Sequence, residues 1–293
     1  MTMTTATMSS PSEQPDSGRS VASRVLSVLD AFSGERRRLT LSDISRRTRM
    51  PLTTAHRLVG ELVSWGALER DRDGRYQIGL HLWEVAALAP RGLGLREVAM
   101  PFLEELFVAT RQHVQLAVLD DLDVVYIERI SSRDAVGVHS RVGGRWPAHT
   151  TGVGLVLLAY ASRPAQERYL ASPLATFTKK TIMTPDALRR VLAEVRRTGY
   201  AVSDRQVTLD AVSVAAPVRD AGNEVVAALS VVVRADGDGG AVSGVPAKSS
   251  RIALPGASMP GSPQGTHTPG VVPAVLAAAR GISLQLLRHP ERP

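Results

Sequence analysis

From Thr40 to Ile78 the chain carries a succession of helical periods and a turn signal that few folds can accommodate. Thr40 can cap a short helix whose third residue, Asp43, is placed to complete a capping box and to favour the helix dipole. Leu41 and Ile44 give that helix its buried side. After a turn around Thr48 to Pro51, the residues Leu52, Ala55, Leu58, Val59, Leu62 and Val63 recur at the period of a longer helix. Gly66 stands where a left-handed cap would end it. Two short arms, 68–70 and 75–78, then flank Asp73-Gly74, a strong hairpin signal. Upstream, Val21, Val25, Val28, Leu29 and Phe32 form the apolar stripe of a further helix.

Three helices followed by a basic hairpin, over 20–79, make a winged helix-turn-helix. The third helix of such a unit can enter a DNA major groove, and the wing can touch flanking phosphates or the minor groove. The outer face of that helix carries Thr53, His56, Arg57 and Gly60, with Thr54 to one side, and the wing carries Arg70, Arg72 and Arg75. Arg57 is the leading candidate for a base or phosphate contact. Thr53 and Thr54 can donate to phosphate from the helix N-terminus, and His56 completes the candidate set. A plain three-helix bundle has the same apolar faces, but gives no reason for a small polar outer face and a basic wing in this order. The formal net charge of +7 favours a polyanionic partner. Lys179, Lys180 and Lys248 are the only lysines, a bias that GC-rich codon usage also produces, so the charge is permissive only.

The remaining chain is bounded mostly by what it lacks. Cysteine is absent, which excludes disulfides, thiolate zinc sites and cysteine nucleophiles. Residues 1–19 have no basic start with an apolar core behind it and read as a polar tail, not a signal peptide. No stretch reaches the ~18 to 20 uninterrupted apolar residues of a membrane span, so no membrane and a cytoplasmic location are expected. The seven histidines contain no HxxxH-type pair, and no metal is expected. Gly152-Val153-Gly154 lacks the third glycine of a nucleotide fingerprint, Leu157 standing in its place, and no cofactor is expected. Residues 80–94 read as a linker helix and loop, and 95–293 as a second domain. Within it, 235–269 is a Gly/Ser/Pro/Ala-rich insert that cannot support a core, and 271–287 is a closing helix. Leu80, Leu82, Trp83, Val85, Ala86 and Leu88 crowd apolar groups next to the wing, a patch that a partner subunit would cover.

In the second domain, QLAVLDDLDVVYIERI reads as a hairpin turning at Asp120-Asp121. GGRWPAHTTG then collects small, polar and ring residues immediately before the apolar helix GLVLLAYA. Amides and hydroxyls at such a helix start suit a carboxylate, which makes Thr150, Thr151 and Gly152 anion-binding candidates. Trp146 can wall the same site, and His149 lies within it in sequence.

The stretch SVASRVLSVLDAF…LTLSDISRRTRMPLTTAHRLVGELVSWGALERDRDGRYQIG resembles the DNA-binding domain of IclR-type regulators. The likeness continues through LREVAMPFLEEL, QLAVLDDLDVVYIERI, GGRWPAHTTGVGLVLLA and GYAVSDRQVTLDAVSVAAPVRDAGNEVVAALSVVV, covering about 20–234 and resuming at 271–287. It implies an α+β chain whose C-terminal effector domain is GAF-like, with a curved antiparallel sheet. It also implies a homodimer or homotetramer on a (pseudo)palindromic double-stranded operator, repressing or activating in response to a small organic or aromatic acid. By the same resemblance Gln206, Ser213 and Ser230 complete the effector site. The chain departs from the family at Arg49, where the turn usually has Gly. It departs again at Gln206, where an acidic residue is common, at Asp210, where Gly is common, and in the length of 235–269. The competing readings are an architectural DNA-binding dimer without ligand control and an enzyme with an incidental helix-turn-helix. The enzyme reading lacks a nucleophile–base–acid set and a G-x-S-x-G elbow.

Overall fold

The computed structural model describes residues 20–89, 93–131, 136–137, 140–235 and 268–288, and the chain divides into two compact units between Leu93 and Gly94. The tail 1–19 and nearly all of the 235–269 insert lie outside the described residues.

The first unit contains α1 (Val21–Asp30), α2 (Leu41–Thr48), α3 (Leu52–Trp65), the two-stranded β1 (Leu68–Arg70) and β2 (Tyr76–Ile78), and α4 (Leu80–Ala86). Its core is Val28, Ile44, Leu58, Val59, Leu62 and Leu68, closed by Tyr76 from the wing. Leu52 and Val21, assigned to inner faces by their spacing, are 50% and 52% exposed. Each is the first residue of its helix.

Helix α2 is held at both ends by local chemistry. The Thr40 hydroxyl accepts from the Asp43 amide and the Asp43 carboxylate accepts from the Thr40 amide, both at 3.1 Å, so the capping box is complete. At its other end Arg49 takes the left-handed conformation, φ 56° and ψ 27°, in the place where the family's glycine would meet no Cβ penalty. Thr40→Ala removes the cap acceptor of the Asp43 amide and is expected to cost about 1 kcal/mol. The check is the urea midpoint of the first unit; an unchanged midpoint would mean that the cap contributes nothing.

The second unit is built on one antiparallel sheet. Its helices are α5 (Leu93–Thr110), α6 (Gly152–Tyr160), α7 (Arg163–Ala171), α8 (Pro185–Thr198) and α9 (Thr268–Arg288). Its strands are β3 (His113–Asp120), β4 (Asp123–Ile130), β5 (Arg145–Pro147), β6 (Ala201–Asp204), β7 (Ala211–Arg219) and β8 (Val225–Arg234), in the order β5-β4-β3-β8-β7-β6. The predicted hairpin is β3–β4, with Asp121 at φ 54° in its turn. Alternation along the strands sends two different sets of side chains to the two faces. One face presents Val114, Leu116, Val214, Leu229 and Val231 to a core shared with α5 and α9. The other presents Ala117, Ala215 and Ala228, small enough for α6 to lie close against the sheet.

The closing helix is longer than its apolar pattern, Thr268–Arg288 instead of 271–287. By length and composition alone its Gly270–Arg288 portion could cross a membrane. In the fold it turns Val275, Ala279, Ile282 and Leu286 onto the sheet core, the pattern of a core-covering helix.

Candidate functional site

Two places concentrate functional chemistry, one in each unit. In the first, α3 buries Ala55, Leu58, Val59 and Leu62, which turns Thr53, His56, Arg57 and Gly60 to solvent and leaves Thr54 half-buried beside them. The wing is a tight loop. The Asp71 carboxylate accepts from the Asp73 and Arg75 amides at 3.0 and 2.9 Å, and Gly74 supplies a φ of 77°. Arg70 folds back along this loop, its guanidinium 5.7 Å from the Tyr76 ring centre and reaching the Gly74 carbonyl. Arg72 and Arg75 are exposed. Arg36, Arg37 and Arg38, a charge run absent from the sequence-based candidate set, are also exposed. They lie beside the wing because Leu39 bridges to Tyr76 and Arg38 reaches Asp71 at 3.8 Å.

The wing is also tied to α4. Glu69 on β1 accepts from the Leu80 amide at the start of that helix at 3.0 Å and from Gln77 at 3.3 Å. These bonds hold its carboxyl below the usual range. In α4, Leu80, Trp83 and Val85 are exposed, as is Leu88 just beyond, while Leu82 packs on the bundle core.

In the second unit the sheet face under α6 changes character where the helix begins. Ala117 and Ala228 are cross-strand partners beneath the helix, and two residues further on the row is Gln115 on β3, Ser230 on β8 and Ala215 on β7. The next row brings Ser203 on β6 opposite Ser213 on β7. Gln115, Ser203 and Ser213 floor a cavity of about 500 Å³, counting its open mouth, which is walled by Trp146, Thr150, Thr151, Gln206 and Thr208 and reached by Tyr126 and Ser140.

Thr151 is the N-cap of α6, its hydroxyl accepting from the Gly154 amide at 3.1 Å. Gly152 and Val153, the first two helical residues, therefore present buried amides with no acceptor inside the helix. The strand β6 is pinned to this helix start by Ser203, which donates to the Thr150 carbonyl at 2.8 Å. Trp146 stacks obliquely on Phe177, ring centres 5.1 Å apart. Burial keeps the Tyr126 phenol well above its ordinary range, so it is neutral.

Of the residues singled out from the sequence, Trp146, Thr150, Thr151, Gln206 and Ser213 come together on the cavity. Three others sit behind it. Gly152 packs against β7, where a Cβ would lie 2.7 Å from the Ser213 hydroxyl. Ser230 is fully buried and donates to Gln115 at 3.5 Å. His149 is committed inside the protein. Its Nε2 donates to the Ala175 carbonyl at 2.9 Å, and its Nδ1 accepts from the Tyr169 phenol at 2.7 Å. Burial pushes that phenol up to about 12. Gln115, Tyr126, Ser140, Ser203 and Thr208 line the cavity without having been singled out from the sequence. A Ser or Gln at an inward position of an otherwise apolar strand was the signal available for Gln115 and Ser203.

Gln206 differs from the other lining residues. Its carbonyl accepts from Thr181 at 2.7 Å and that of Arg205 from Thr178 at 2.6 Å, so the backbone is fixed on both sides. Its side-chain Oε1 is buried and has no hydrogen-bond partner in the protein. An unpaired buried acceptor of this kind costs about 1–3 kcal/mol.

Burial lowers the affinity of both His149 and His113 for a proton. A bond to the Val136 carbonyl partly offsets this for His113, and the Arg129 cation adds to it. Below about pH 6.5 the unfolded chain therefore takes up protons that the folded chain does not, and stability falls as the pH drops further. Urea midpoints for the second unit should be higher at about pH 7.5 than at about pH 5.5. Equal midpoints would show that both rings protonate as readily folded as unfolded.

Known families match both units. Residues 21–72 match the IclR helix-turn-helix domain, and 88–236 match the bacterial transcriptional regulator IclR C-terminal domain. The HTH-type transcriptional regulator XynR of Escherichia coli is 32% identical over 210 residues, 71% of this chain and 83% of that protein. The Pca regulon regulatory protein of Pseudomonas putida is 31% identical over 220 residues, 74% of this chain and 75% of that protein. A crystal structure of an IclR homolog complexed with 4-hydroxybenzoate, from Microbacterium hydrocarbonoxydans, has a TM-score of 0.77 at 35% identity. The match covers 91% of this chain and 99% of the homolog. With a winged helix-turn-helix in one unit and a helix-covered antiparallel sheet in the other, the chain belongs to the IclR family of transcriptional regulators.

Proposed function

We propose that this regulator is ligand-controlled, its second unit binding a small organic or aromatic acid and its first unit reading a (pseudo)palindromic operator. The observation that carries the reading is the cavity at the start of α6, where Thr150 and the N-cap Thr151 meet a polar floor and an aromatic wall. Such a helix start favours an anion without a cationic side chain. The 4-hydroxybenzoate complex of the Microbacterium homolog supports an aromatic acid as the ligand. On the DNA side Arg57, Thr53, Thr54 and His56 would meet the major groove, and Arg70, Arg72 and Arg75 the flanking backbone.

The exposed apolar groups of Leu80, Trp83, Val85 and Leu88 support a homo-oligomer, in which a second copy covers them. Among the described residues the cavity lining offers no nucleophile–base pair, which supports a role that is regulatory and not enzymatic. An acid that binds one arrangement of the oligomer better than another shifts operator affinity by its differential binding energy, typically about 5–150-fold.

Footprinting on the DNA upstream of the protein's own gene, with and without a panel of aromatic and aliphatic carboxylates, tests this. Protection of a palindromic site that one compound alters is the expected result. Protection that no carboxylate alters would leave an architectural DNA-binding dimer.

A further inference from the structure

Strand β4 serves both faces of the sheet where it passes the cavity. Leu116 pairs with Glu128 and Ala117 with Tyr126, so Ile127 is an extra residue on the β4 side, a β-bulge. Because of it, Tyr126 and Arg129 both turn to the cavity side, the first opposite Ala117 and the second opposite Gln115. Ile127 and Glu128, in succession, turn to the side covered by α5.

Polar contacts run through this bulge without a break. Gln115 and Ser140 both line the cavity, and the Gln115 Nε2 donates to the Ser140 hydroxyl at 2.6 Å. The Arg129 guanidinium donates to the Ser140 carbonyl and, through Nε, to the Ser131 hydroxyl at 2.6 Å. The Glu128 carboxylate accepts the Arg129 amide at 2.7 Å with one oxygen and the Arg96 guanidinium with the other. Arg96 stands in the first turn of α5, where the chain enters the second unit. The Glu128 side chain is 12% exposed and that of Arg96 42%, so the carboxylate is sheltered while the pair keeps one open side.

We propose that the Arg96–Glu128 pair couples the cavity to α5, so that occupancy of the cavity alters operator binding through this contact. This rests on the reading of the cavity as a ligand site and supplies the route by which that site controls DNA. A ligand touching Gln115 or Ser140 changes the bonds that place Arg129, and the same short stretch of β4 carries the anchor of α5. Coupling between two sites is reciprocal, so DNA bound by the first unit must in turn change the cavity. The test therefore needs no effector.

Hydrogen–deuterium exchange is followed on the full chain, free and bound to a duplex that the parent selects from random DNA. In the parent the duplex should change exchange over 126–129 and 140–151 by about fivefold or more. In Arg96→Met the change should fall below about twofold, while the variant still binds the duplex. Arg96→Lys keeps a cation within reach of the carboxylate and should keep the response. Both variants should melt within about 4 °C of the parent, since a partly exposed pair adds little stability. A response as large in Arg96→Met as in the parent overturns the proposal alone and leaves ligand control standing. A much larger fall in melting temperature makes the pair structural and also overturns it. A duplex that changes nothing at the cavity of the parent removes the proposal and ligand control together, because the second unit then does not answer to the first.

Discussion

Gly154→Ala is expected to destabilise the second unit by about 3 kcal/mol or more, enough to lower its melting temperature by roughly 6–12 °C. Gly154 is the third residue of α6, and a Cβ built on it would stand 2.1 Å from the Ala148 carbonyl oxygen and 2.6 Å from that residue's carbonyl carbon and Cα. All three are backbone atoms, so no rotamer change can relieve the overlap. The turn before α6 must shift or the helix must move off the sheet, and either displaces Thr150 and Thr151 from the cavity. Gly60 provides the control, because it is also helical but has nothing within 4 Å of its missing Cβ. There Ala should stabilise the first unit by about 0.5–1 kcal/mol. Calorimetry on both variants checks the pair. Similar melting shifts of the same sign would show that close approach to Ala148 does not govern residue 154.

Arg57→Ala should weaken binding to the operator by about 1–3 kcal/mol, a loss of roughly 5–150-fold, with no change in the stability of the first unit. The side chain is exposed on the outer face of α3, away from the buried Leu58 and Leu62, so nothing in the core depends on it. Arg75→Ala, at the wing, should behave differently. It should weaken binding to all duplexes alike and reduce the salt dependence of binding by about one released counterion. Fluorescence anisotropy at several salt concentrations, on a site selected from random duplexes, separates the two. If Arg57→Ala lowers affinity equally for selected and random DNA, the residue contacts phosphate and does not read bases.

The first unit was legible in the sequence because its structure is local. A capping box, a turn signal and a helical period each involve residues within a few positions of one another, and Thr40, Gly74 and the α3 face stand as their spacing indicates. Arg49 shows the same locality from a less favourable side, since the turn demanded a left-handed residue whatever side chain occupied it. The cavity was legible only in part. Thr150 and Thr151 announced themselves by preceding an apolar helix. Gln115 and Ser203 show locally only as polar residues in apolar strands, and that they and Ser140 share one cavity is set by strand register and by a segment far away in sequence, which leave no local trace. His149 has the right neighbours in sequence but the wrong direction. The 3-10 turn at Ala148–Thr150 aims its ring at Tyr169, and residue type alone carries no information about that.

The sheet face beneath α6 divides its work along each strand. Ala117 sits two residues from Gln115 on β3, and Ala215 two residues from Ser213 on β7, so positions that seat the helix and positions that floor the cavity alternate along the same strands. A lineage of such proteins can therefore exchange a floor residue such as Gln115, trading one recognised compound for another, while Ala117 keeps the helix seat constant. New sensory preferences become reachable by single substitutions that leave the architecture intact.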